Sequence, residues 1–568
     1  MRRAVAIVAG LYFLLVLFNG FVLVELFLRR VGTPILFAVA TALACVGAGF
    51  LTRRRQPDIA LNFIVGYPIF GAICFLIGLL RISPWTMVPI VGILGGVGAL
   101  AIRRSMAGDA PVTTLALKPL ATLALVLIGI AALIAAQAPP STLDELAYHL
   151  AVPWTWVKEG RAIDLPLVSH SYFPLGVESA DLPFLSILGT GGGIASHFLH
   201  LFAAFAVVVL LLRMTKQCPI LTVAIVATPA LALAAGWSLV DWVLLGISLA
   251  LVNAIENDDA TTVTAAVAAG LLTKYTFIPI ALIAILVTRK FRGVLPGLAI
   301  GSVFFIRNLI LTGNPIAPFF GALAPHVAHY RTGAFLSDYI FDGHFIDESL
   351  GASMLIASTL TAGLVPLVLL AAAVLLFFLA PSSRLLVPFL AVPAARALPP
   401  NRPVRVLLAI AIVMQLFLVA YFTDRTEAFA LLSGRLDDEK YLAEVRPSTT
   451  TIAALDAALP PNACTLVIGL SETYWFQHRV RGGGNFDGPR VSAYLDVGSV
   501  DALYARLRRD GITHVAVVAT AAPTEVASKV EERETALSTS AQRTLSQALD
   551  RYARSVTQRG NATLFTLR

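Results

Sequence analysis

Long apolar runs alternate with short polar segments over the first three quarters of the chain. A helix needs about 20 apolar residues to cross a lipid bilayer, so runs near this length predict about 12 to 14 transmembrane helices. The predicted spans are residues 5–28, 34–51, 60–80, 87–102, 115–136, 195–212, 220–235, 239–255, 263–287, 294–311, 353–379 and 404–422. Lys274 interrupts the 263–287 run, which fits either one span or a hairpin of two short helices.

The pattern changes after residue 424. Charged residues return, and apolar runs shorten to strand length at 464–470, 513–518 and 562–567. Residues 500–509 and 542–558 have the spacing of amphipathic helices. We therefore predict a polytopic α-helical membrane protein with a small soluble α/β domain at residues 425–568. Residues 1–110 are predicted as additional N-terminal spans, and residues 111–424 as the membrane region that carries the outer loops 137–193 and 312–352.

Composition supports the membrane class. Of the 568 residues, 57% are hydrophobic and only 13% are charged, which excludes an ordinary soluble chain. Residues 1–20 have the basic start and apolar centre of a signal peptide. The apolar run continues to residue 28 without a small-residue cleavage site, which favours a span. The four cysteines are scattered, so neither a disulfide framework nor a CxxC metal site is predicted.

Positive charge lies in alternate loops. The net charge of +8 suggests nucleic-acid binding at first sight, but the basic residues sit between spans, at 2–3, 53–55, 103–104, 213–216 and 289–292. This distribution is typical of cytoplasmic loops, with Arg29 and Arg30 as an exception on the other side. Five predicted spans precede the loop 137–193, so that loop is expected to face outward. No nucleic-acid partner is expected.

The side of the C-terminal domain depends on one weak segment, residues 385–395. If this short run does not cross the membrane, the basic residues on either side of it share one cytoplasmic loop and the domain lies outside. If it crosses, the domain lies in the cytoplasm. The positive-inside rule favours the first alternative. The basic residues concerned are Arg384, Arg396, Arg402 and Arg405.

An acidic cluster opens the loop 137–193. Asp144 and Glu145 are followed by Tyr148 and His149, and ionisable groups in a membrane protein are costly and tend to be functional. On an α-helix, Asp144 and Tyr148 would share one face, and Glu145 and His149 the next. Thr142 and Glu145 also fit a capping box, so Glu145 is either a functional acid or a helix cap.

A second polar segment follows in the same loop. His170, Tyr172 and Glu178 flank a turn at Pro174 and Gly176, and could face the same cavity as Asp144. An ordinary loop rich in turn residues is the alternative interpretation.

The remaining candidates lie at the ends of predicted spans. Asp241 is expected at the outer face, level with Asp144, where it is either a site residue or interfacial. Lys274 and Arg307 are candidate cations for a phosphate group, although an arginine near a span end can also extend to the interface. The neighbouring candidates for substrate binding are Tyr275, Asn308 and Asn314.

Together these motifs resemble bacterial integral-membrane glycosyltransferases of the GT-C superfamily, relatives of the protein O-mannosyltransferases and the aminoarabinose lipid A transferase. The resemblance covers about residues 115–425. It rests on the order of Asp144-Glu145-x-x-Tyr148-His149, Ser169–Pro174 with Glu178, Asp241, Lys274-Tyr275 and Arg307-Asn308 with Gly313-Asn314-Pro315.

The resemblance implies a sugar donor on a polyprenyl phosphate, used outside the bacterial cytoplasmic (inner) membrane, and a glycan, lipid or protein acceptor. By position, Asp144 matches the catalytic base, Glu145 its neighbour and Asp241 the second acid. A divalent metal (Mg²⁺ or Mn²⁺) on Asp144 and Asp241 is compatible with carboxylate chemistry but is not required. Membrane lipid is an expected partner.

Two departures from the family pattern matter. Five predicted spans, rather than one, precede the acidic loop, so residues 1–110 look like an addition of unknown role. The lipid A transferases carry Lys-Pro-Pro where this chain has Ser171-Tyr172-Phe173-Pro174. His170, Lys274 and Arg307 are therefore predicted to make the phosphate contacts instead.

Other protein classes remain as alternatives. A secondary transporter would have a similar number of spans, but its polar residues would gather at mid-span and an internal repeat would be expected. A polysaccharide polymerase or ligase would use polyprenyl-linked substrates with outer-loop arginines and histidines. A purely structural scaffold would leave Asp144, Lys274 and Arg307 unexplained.

Overall fold

The structure is a computed structural model that describes residues 28–54, 56–107, 119–215, 218–319, 351–377, 383–483, 487–519 and 537–568. It is a polytopic helical membrane protein with a small C-terminal α/β domain, as predicted. The predicted span 5–28, apart from its last residue, and most of the predicted loop 312–352 lie outside the described residues.

Six helices in the described part of the chain are long and apolar enough to cross a bilayer, or seven if one bent pair is counted as a span. The first four are α1 (Thr33–Thr52), α2 (Ile59–Gly78), α3 (Pro84–Ala107) and α4 (Pro119–Ala136). The polar loop that follows carries two short helices, α5 (Ala151–Glu159) and α6 (Gly176–Ser179). The fifth span consists of α7 (Leu182–Leu188) and α8 (Gly192–Met214). The bent pair is α14 (Val294–Gly301) and α15 (Val303–Thr312), and α19 (Arg402–Arg425) is the last long span.

Shorter apolar helices complete the bundle. They are α9 (Pro219–Val226), α10 (Pro229–Ala234), α11 (Asp241–Glu256), α12 (Ala260–Thr273), α13 (Phe277–Thr288), α16 (Ala352–Thr359), α17 (Leu364–Phe377) and α18 (Val387–Ala395). The predicted span 220–235 is interrupted between Val226 and Pro229, because proline lacks the amide hydrogen that would continue the helix. Most side chains of α11 and α12 are buried, so these helices lie inside the bundle rather than against lipid.

Polar contacts define two faces of the bundle. On the basic face, Arg53 donates to Thr262 (3.1 Å) and Arg213 lies 2.9 Å from Asp58. The opposite face, the loop face, carries the polar loop between α4 and α7. There the Ile82 amide, at the end of α2, donates to the Gly160 carbonyl of that loop (2.6 Å).

The 263–287 run is a hairpin, the second of the two interpretations of the sequence. Helix α12 starts next to Arg53 on the basic face and ends at Lys274, 3.8 Å from Asp241 on the loop face. Helix α13 returns to the basic face, where Lys290 donates to the Ile255 carbonyl (2.9 Å). Lys274 therefore sits at the turn of the hairpin.

The prediction that residues 385–395 do not cross is wrong. Arg384 bonds Asp144 on the loop face, whereas Arg396 bonds Asn253 (3.2 Å) near the other end of α11. Helix α18 between them thus runs along α11 from one face to the other, and all its side chains are buried. Because α18 is enclosed by protein, it needs neither the length nor the composition of a lipid-exposed span.

The predicted span 353–379 is also two helices, α16 and α17. The chain turns between them, where the Leu398 amide donates to the Leu360 carbonyl (2.9 Å) next to the end of α18. The C-terminal domain packs on the loop that carries Asp144 and therefore lies on the loop face, the side on which the favoured interpretation of the sequence also placed it.

The C-terminal domain contains a five-stranded sheet in the order β2-β1-β3-β5-β4. Strands β1 (Cys464–Ile468), β2 (Arg479–Gly482) and β3 (His514–Val518) are parallel, and β5 (Ala562–Leu567) and β4 (Ala553–Arg559) are antiparallel additions. Its helices are α20 (Ala428–Leu432), α21 (Asp438–Val445), α22 (Ser448–Ala457), α23 (Gly488–Leu495), α24 (Val500–Arg509) and α25 (Thr539–Tyr552).

The predicted strands and α24 are confirmed, but the predicted helix 542–558 ends at Tyr552. The chain then continues as β4, an edge strand whose side chains are mostly exposed. Such a polar edge strand lacks the apolar signal that marks β1 and β3.

The C-terminal domain packs directly on the polar loop. The amides of Thr473 and Tyr474 donate to the Leu146 carbonyl (2.9 and 3.2 Å), two residues after Asp144. Trp154 and Lys158 of α5 both donate to the Phe476 carbonyl (3.0 and 2.8 Å). The domain therefore holds the acidic segment in place on the loop face of the bundle.

Candidate functional site

The acidic segment is wound as a π-helix from Glu145 to His149 rather than as an α-helix. The Leu150 amide donates to the Glu145 carbonyl five residues earlier, at 3.0 Å. This winding places residues five apart, such as Asp144 and His149, on one side of the helix. Glu145 bonds His197 and His149 bonds Glu178, so the two side chains that α-helical spacing places on one face do not bond each other.

Four charged side chains alternate in sign across the loop face. Arg384 donates a hydrogen bond to Asp144 Oδ2, and its Nε lies 3.7 Å from Asp241 Oδ2. Lys274 Nζ lies 3.8 Å from the other oxygen of Asp241. The structure thus brings together the predicted residues Asp144, Asp241 and Lys274, and adds Arg384.

Three different helices position these charges. Asp241 opens α11, where the helix dipole favours an anion. Lys274 follows the last residue of α12, in extended conformation at the turn of the hairpin. Arg384 lies at the start of the short crossing that leads into α18. The charges therefore meet where three membrane helices end.

Asp144 is held in its charged form. Burial alone would raise the pKa of Asp144, but the nearby guanidinium of Arg384, with contributions from His149 and His170, lowers it to about 2. Burial lowers the pKa of His170 to about 4, so this imidazole is neutral near pH 7. At neutral pH the site therefore presents a carboxylate beside an uncharged ring.

Glu145 is fully enclosed and fully bonded, with no exposed surface. Its carboxylate accepts from the amide and hydroxyl of Thr142 (3.1 and 2.8 Å), from His197 Nε2 (2.7 Å) and from the Ser238 amide (2.7 Å). Burial opposes ionisation, but these donors, His197 above all, lower the pKa of Glu145 to about 2. This geometry supports a structural role for Glu145 and not a catalytic one. The predicted capping contact with Thr142 is present.

Aromatic rings form a wall beside the charges. Tyr148 stacks on His170, with ring centroids 4.4 Å apart, and packs against His149 at 4.0 Å. Phe173 lies 4.7 Å from His170 and 5.8 Å from Tyr275. Burial raises the pKa of the Tyr148 phenol well above its usual range, so it stays protonated. Tyr148, His149 and His170 are predicted substrate-binding residues that do lie near Asp144, and Phe173 joins them to the predicted residue Tyr275.

Behind the wall, His149 Nδ1 lies 2.7 Å from Glu178 Oε1, and both side chains are buried. The predicted binding residue Glu178 therefore supports His149 and does not face the acids directly.

Arg307 lies under the site instead of facing it. Its guanidinium donates to the Ser171 carbonyl (2.7 Å) and packs over the rings of Phe75, Trp156 and Tyr172. With only 9% of the residue exposed, it is enclosed by protein. The geometry therefore does not support the predicted phosphate contact through Arg307, because the segment 169–173 lies over it.

Two other predicted binding residues, Tyr172 and Asn308, hold the same loop, and Asn314 bonds within the turn after α15. Asn308 donates to the Tyr172 carbonyl (2.6 Å) and to the Tyr275 hydroxyl (3.0 Å). The Tyr172 hydroxyl donates to Asp164 (2.7 Å), and the side-chain oxygen of Asn314 accepts from the Ile316 amide (3.1 Å). Asn308 and Tyr172 therefore position the aromatic wall rather than line it.

Sequence reasoning missed Arg384 as a site residue. It was assigned to a cytoplasmic loop, because the eleven-residue run after it looked too short to cross. The signal that could have identified it is a buried charge next to a proline-flanked apolar segment, since such a charge needs a partner.

The two acids do not fit a metal site. The Arg384 guanidinium already lies between Asp144 and Asp241, so a metal ion on these two acids would have to displace a cation of the protein. No group of three or more His, Cys, Asp or Glu side chains arranged for a metal occurs in the part of the chain that the structure describes.

No protein-family model matches the chain, and no curated protein matches it by sequence. Among solved structures, it is similar to ArnT from Cupriavidus metallidurans bound to undecaprenyl phosphate, with a TM-score of 0.45, 14% identity, and coverage of 78% of this chain and 96% of that chain. For the same protein in the apo state, the TM-score is 0.45 and the identity 12%, over 79% and 98% of the two chains.

ArnT is the aminoarabinose lipid A transferase, one of the GT-C glycosyltransferases that the sequence motifs resemble. At this level of similarity, the roles of the residues are argued from the geometry of this chain alone.

Proposed function

We propose that this protein is a membrane glycosyltransferase that moves a sugar from a polyprenyl-phosphate donor to an acceptor at the loop face. The observation that carries the proposal is the alternating row Asp144–Arg384–Asp241–Lys274 at the ends of membrane helices. A polyprenyl-phosphate sugar is an amphipathic substrate: its lipid chain lies in the membrane, and its anionic group lies at the membrane surface, where these helices end.

Arg384 and Lys274 are the proposed phosphate contacts. Both lie near Asp241 but beyond direct hydrogen-bond distance of it, at 3.7 and 3.8 Å. A phosphate group entering between them can form charge-assisted hydrogen bonds with both cations, and guanidinium matches its geometry. As the bond to the sugar breaks, negative charge grows on the leaving phosphate, and these cations stabilise it.

Asp144 is the proposed carboxylate at the reacting carbon. Glycosyl transfer passes through a transition state with positive charge on the sugar ring, which a nearby carboxylate stabilises. Its low pKa keeps Asp144 ionised at every physiological pH. The flat rings of Tyr148, His170 and Phe173 offer a surface on which the sugar can stack.

We infer that the loop face is extracytoplasmic and that the membrane is the bacterial inner membrane. The supporting observation is the concentration of Arg53, Arg213, Lys290 and Arg396 on the basic face, as the positive-inside rule expects of cytoplasmic loops. The acceptor, whether glycan, lipid or protein, would then reach the site between the membrane and the C-terminal domain.

A lipid and glycan comparison tests the proposal in cells. A deletion strain is complemented with the wild-type chain or with Asp144→Asn, and the envelope glycoconjugates are profiled. We expect one glycoconjugate to lose a sugar in the deletion strain, to regain it with the wild type, and to remain unmodified with Asp144→Asn at equal protein abundance. Identical profiles in all strains would contradict the proposal.

A further inference from the structure

His149 and Glu178 form a buried pair directly behind the acidic row. His149 Nδ1 lies 2.7 Å from Glu178 Oε1, and the side chains are 2% and 4% exposed. A carboxylate against one ring nitrogen fixes the tautomer, so that Nδ1 carries the proton and Nε2 keeps its lone pair. This arrangement prepares an imidazole to accept a proton.

The π-helix directs this imidazole towards the site. Because residues five apart share a side of such a helix, His149 lies on the side of Asp144. Its ring also contacts Tyr148, which stacks on His170 in the aromatic wall. An α-helical segment would have turned His149 away from Asp144, so the unusual winding has a direct consequence for the site.

Asp144 is poorly suited to remove a proton. Its hydrogen bond with Arg384 occupies one carboxylate oxygen, and a carboxylate whose pKa is about 2 is a weak base. Glu145 is excluded because four protein donors surround it. Burial lowers the pKa of His170 to about 4, which makes this imidazole a weaker base than an unperturbed one.

We propose that His149 accepts the proton of the acceptor hydroxyl and that Glu178 is the positioning residue that holds it in the reactive tautomer. This inference rests on the proposed glycosyl transfer. The acceptor oxygen bonds to the anomeric carbon as the bond from that carbon to the phosphate oxygen breaks. The leaving polyprenyl phosphate takes the electron pair, and the hydroxyl proton moves to His149 Nε2. Glu178 and Asp144 then offset the charge of the imidazolium.

The proposal predicts a specific pH profile. Only a neutral imidazole accepts a proton, so transfer by this route falls as the pH is lowered. Asp144 and His170, with pKa values of about 2 and 4, do not change charge near neutral pH. The charged and titratable groups around His149 are Asp144 with its partner Arg384, Tyr148, His170, Glu178 and His200.

The test uses the purified full-length chain in lipid nanodiscs, with undecaprenyl-phosphate hexose as donor and an envelope lipid extract as acceptor. We expect His149→Gln to lower kcat by about 100-fold or more and to lose the acid limb. Glu178→Gln should lower kcat by about 10- to 100-fold. Neither should change the KM for the donor more than about twofold, because neither residue belongs to the phosphate site. Added imidazole should partly restore His149→Gly, which keeps the test valid if the glutamine variant folds poorly.

His200→Gln is the matched control. His200 is a buried histidine in α8 that bonds Ser196 and Tyr67 and lies outside the proposed machinery. Its substitution should leave the acid limb in place. If His149→Gln turns over at the wild-type rate and keeps the fall in rate at acid pH, this inference is wrong and the proposed function still stands. No turnover by the wild type would overturn the proposed function and the inference with it.

Discussion

Arg384 donates a hydrogen bond to Asp144 while its Nε lies 3.7 Å from Asp241, so one guanidinium connects two carboxylates from distant parts of the chain. Removing one partner from a buried charge group leaves the others uncompensated, which costs far more than a surface ion pair. Asp144 therefore depends on Arg384 for its ionised state, and both acids depend on it for their position.

Arg384→Gln should reduce glycosyl transfer by about 100- to 1,000-fold, because it removes a preorganised donor from the leaving phosphate. It should also raise the pKa of Asp144 from about 2, since the opposing charge is lost. The rate is measured with equal amounts of monodisperse protein. Arg396→Gln, at the other end of α18, is the matched control and should retain activity. Equal rates in both variants would contradict the role given to Arg384.

Lys274→Met should weaken donor binding by about 10- to 100-fold, in line with about 1.5 to 3 kcal/mol for a hydrogen bond to a charged group. The decisive measurement is titration with undecaprenyl phosphate itself, which requires no acceptor. Lys290→Met, on the basic face, serves as the control and should bind normally. Unchanged affinity in Lys274→Met would exclude this lysine from the phosphate site.

Glu145→Gln separates a structural role from a catalytic one. Losing the charge between His197, Thr142 and Ser238 should destabilise the fold by about 3 to 5 kcal/mol, as expected when a buried pair is broken. Transfer per folded molecule should nevertheless stay within about tenfold of the wild type. Thermal unfolding in detergent and active-site titration measure the two effects. A stable but inactive variant would instead make Glu145 part of the chemistry.

Asp487 makes the contact between the C-terminal domain and the loop dependent on pH. It accepts from the Ser169 amide (3.0 Å), and burial raises its pKa to about 7. A carboxyl whose pKa is higher in the folded state contributes stability below about pH 4 that is lost as the pH rises through about 7. We expect the thermal midpoint of the wild type to fall over this interval.

Asp487→Asn should reduce the dependence of the free energy of unfolding on pH, by up to about 1.4 kcal/mol per pH unit. Asparagine keeps the hydrogen-bond acceptor but cannot ionise. Asp501→Asn, on the exposed surface of the domain, should keep the wild-type slope. If both variants retain it, the titrating group is not Asp487.

The sequence was sufficient for the general architecture. Apolar runs predicted the membrane class and the change to an α/β domain, because length and period of hydrophobicity are local properties. They left the run around Lys274 open between one span and a hairpin. Asp144, Asp241 and Lys274 were also identified, since a charge inside a membrane protein is conspicuous in any sequence.

The π-helix of the acidic segment and the buried helix α18 could not be predicted in the same way. The π-helix at Glu145–His149 depends on contacts with the C-terminal domain and with His197, which are distant in sequence. Helix α18 is short because protein, not lipid, surrounds it. Its misassignment placed Arg384 on the wrong face. Glu145 and Arg307 look functional in sequence, and only their bonded partners show that both are enclosed.

The release of polyprenyl phosphate tests the central claim most directly. Wild-type protein and Asp144→Asn, each in nanodiscs, are incubated with labelled undecaprenyl-phosphate hexoses and an envelope extract, and donor binding is measured in parallel. We predict that the wild type releases undecaprenyl phosphate and labels one acceptor fraction, whereas Asp144→Asn binds the donor but releases none. Equal release by both proteins, or none by the wild type with any donor, would contradict the account.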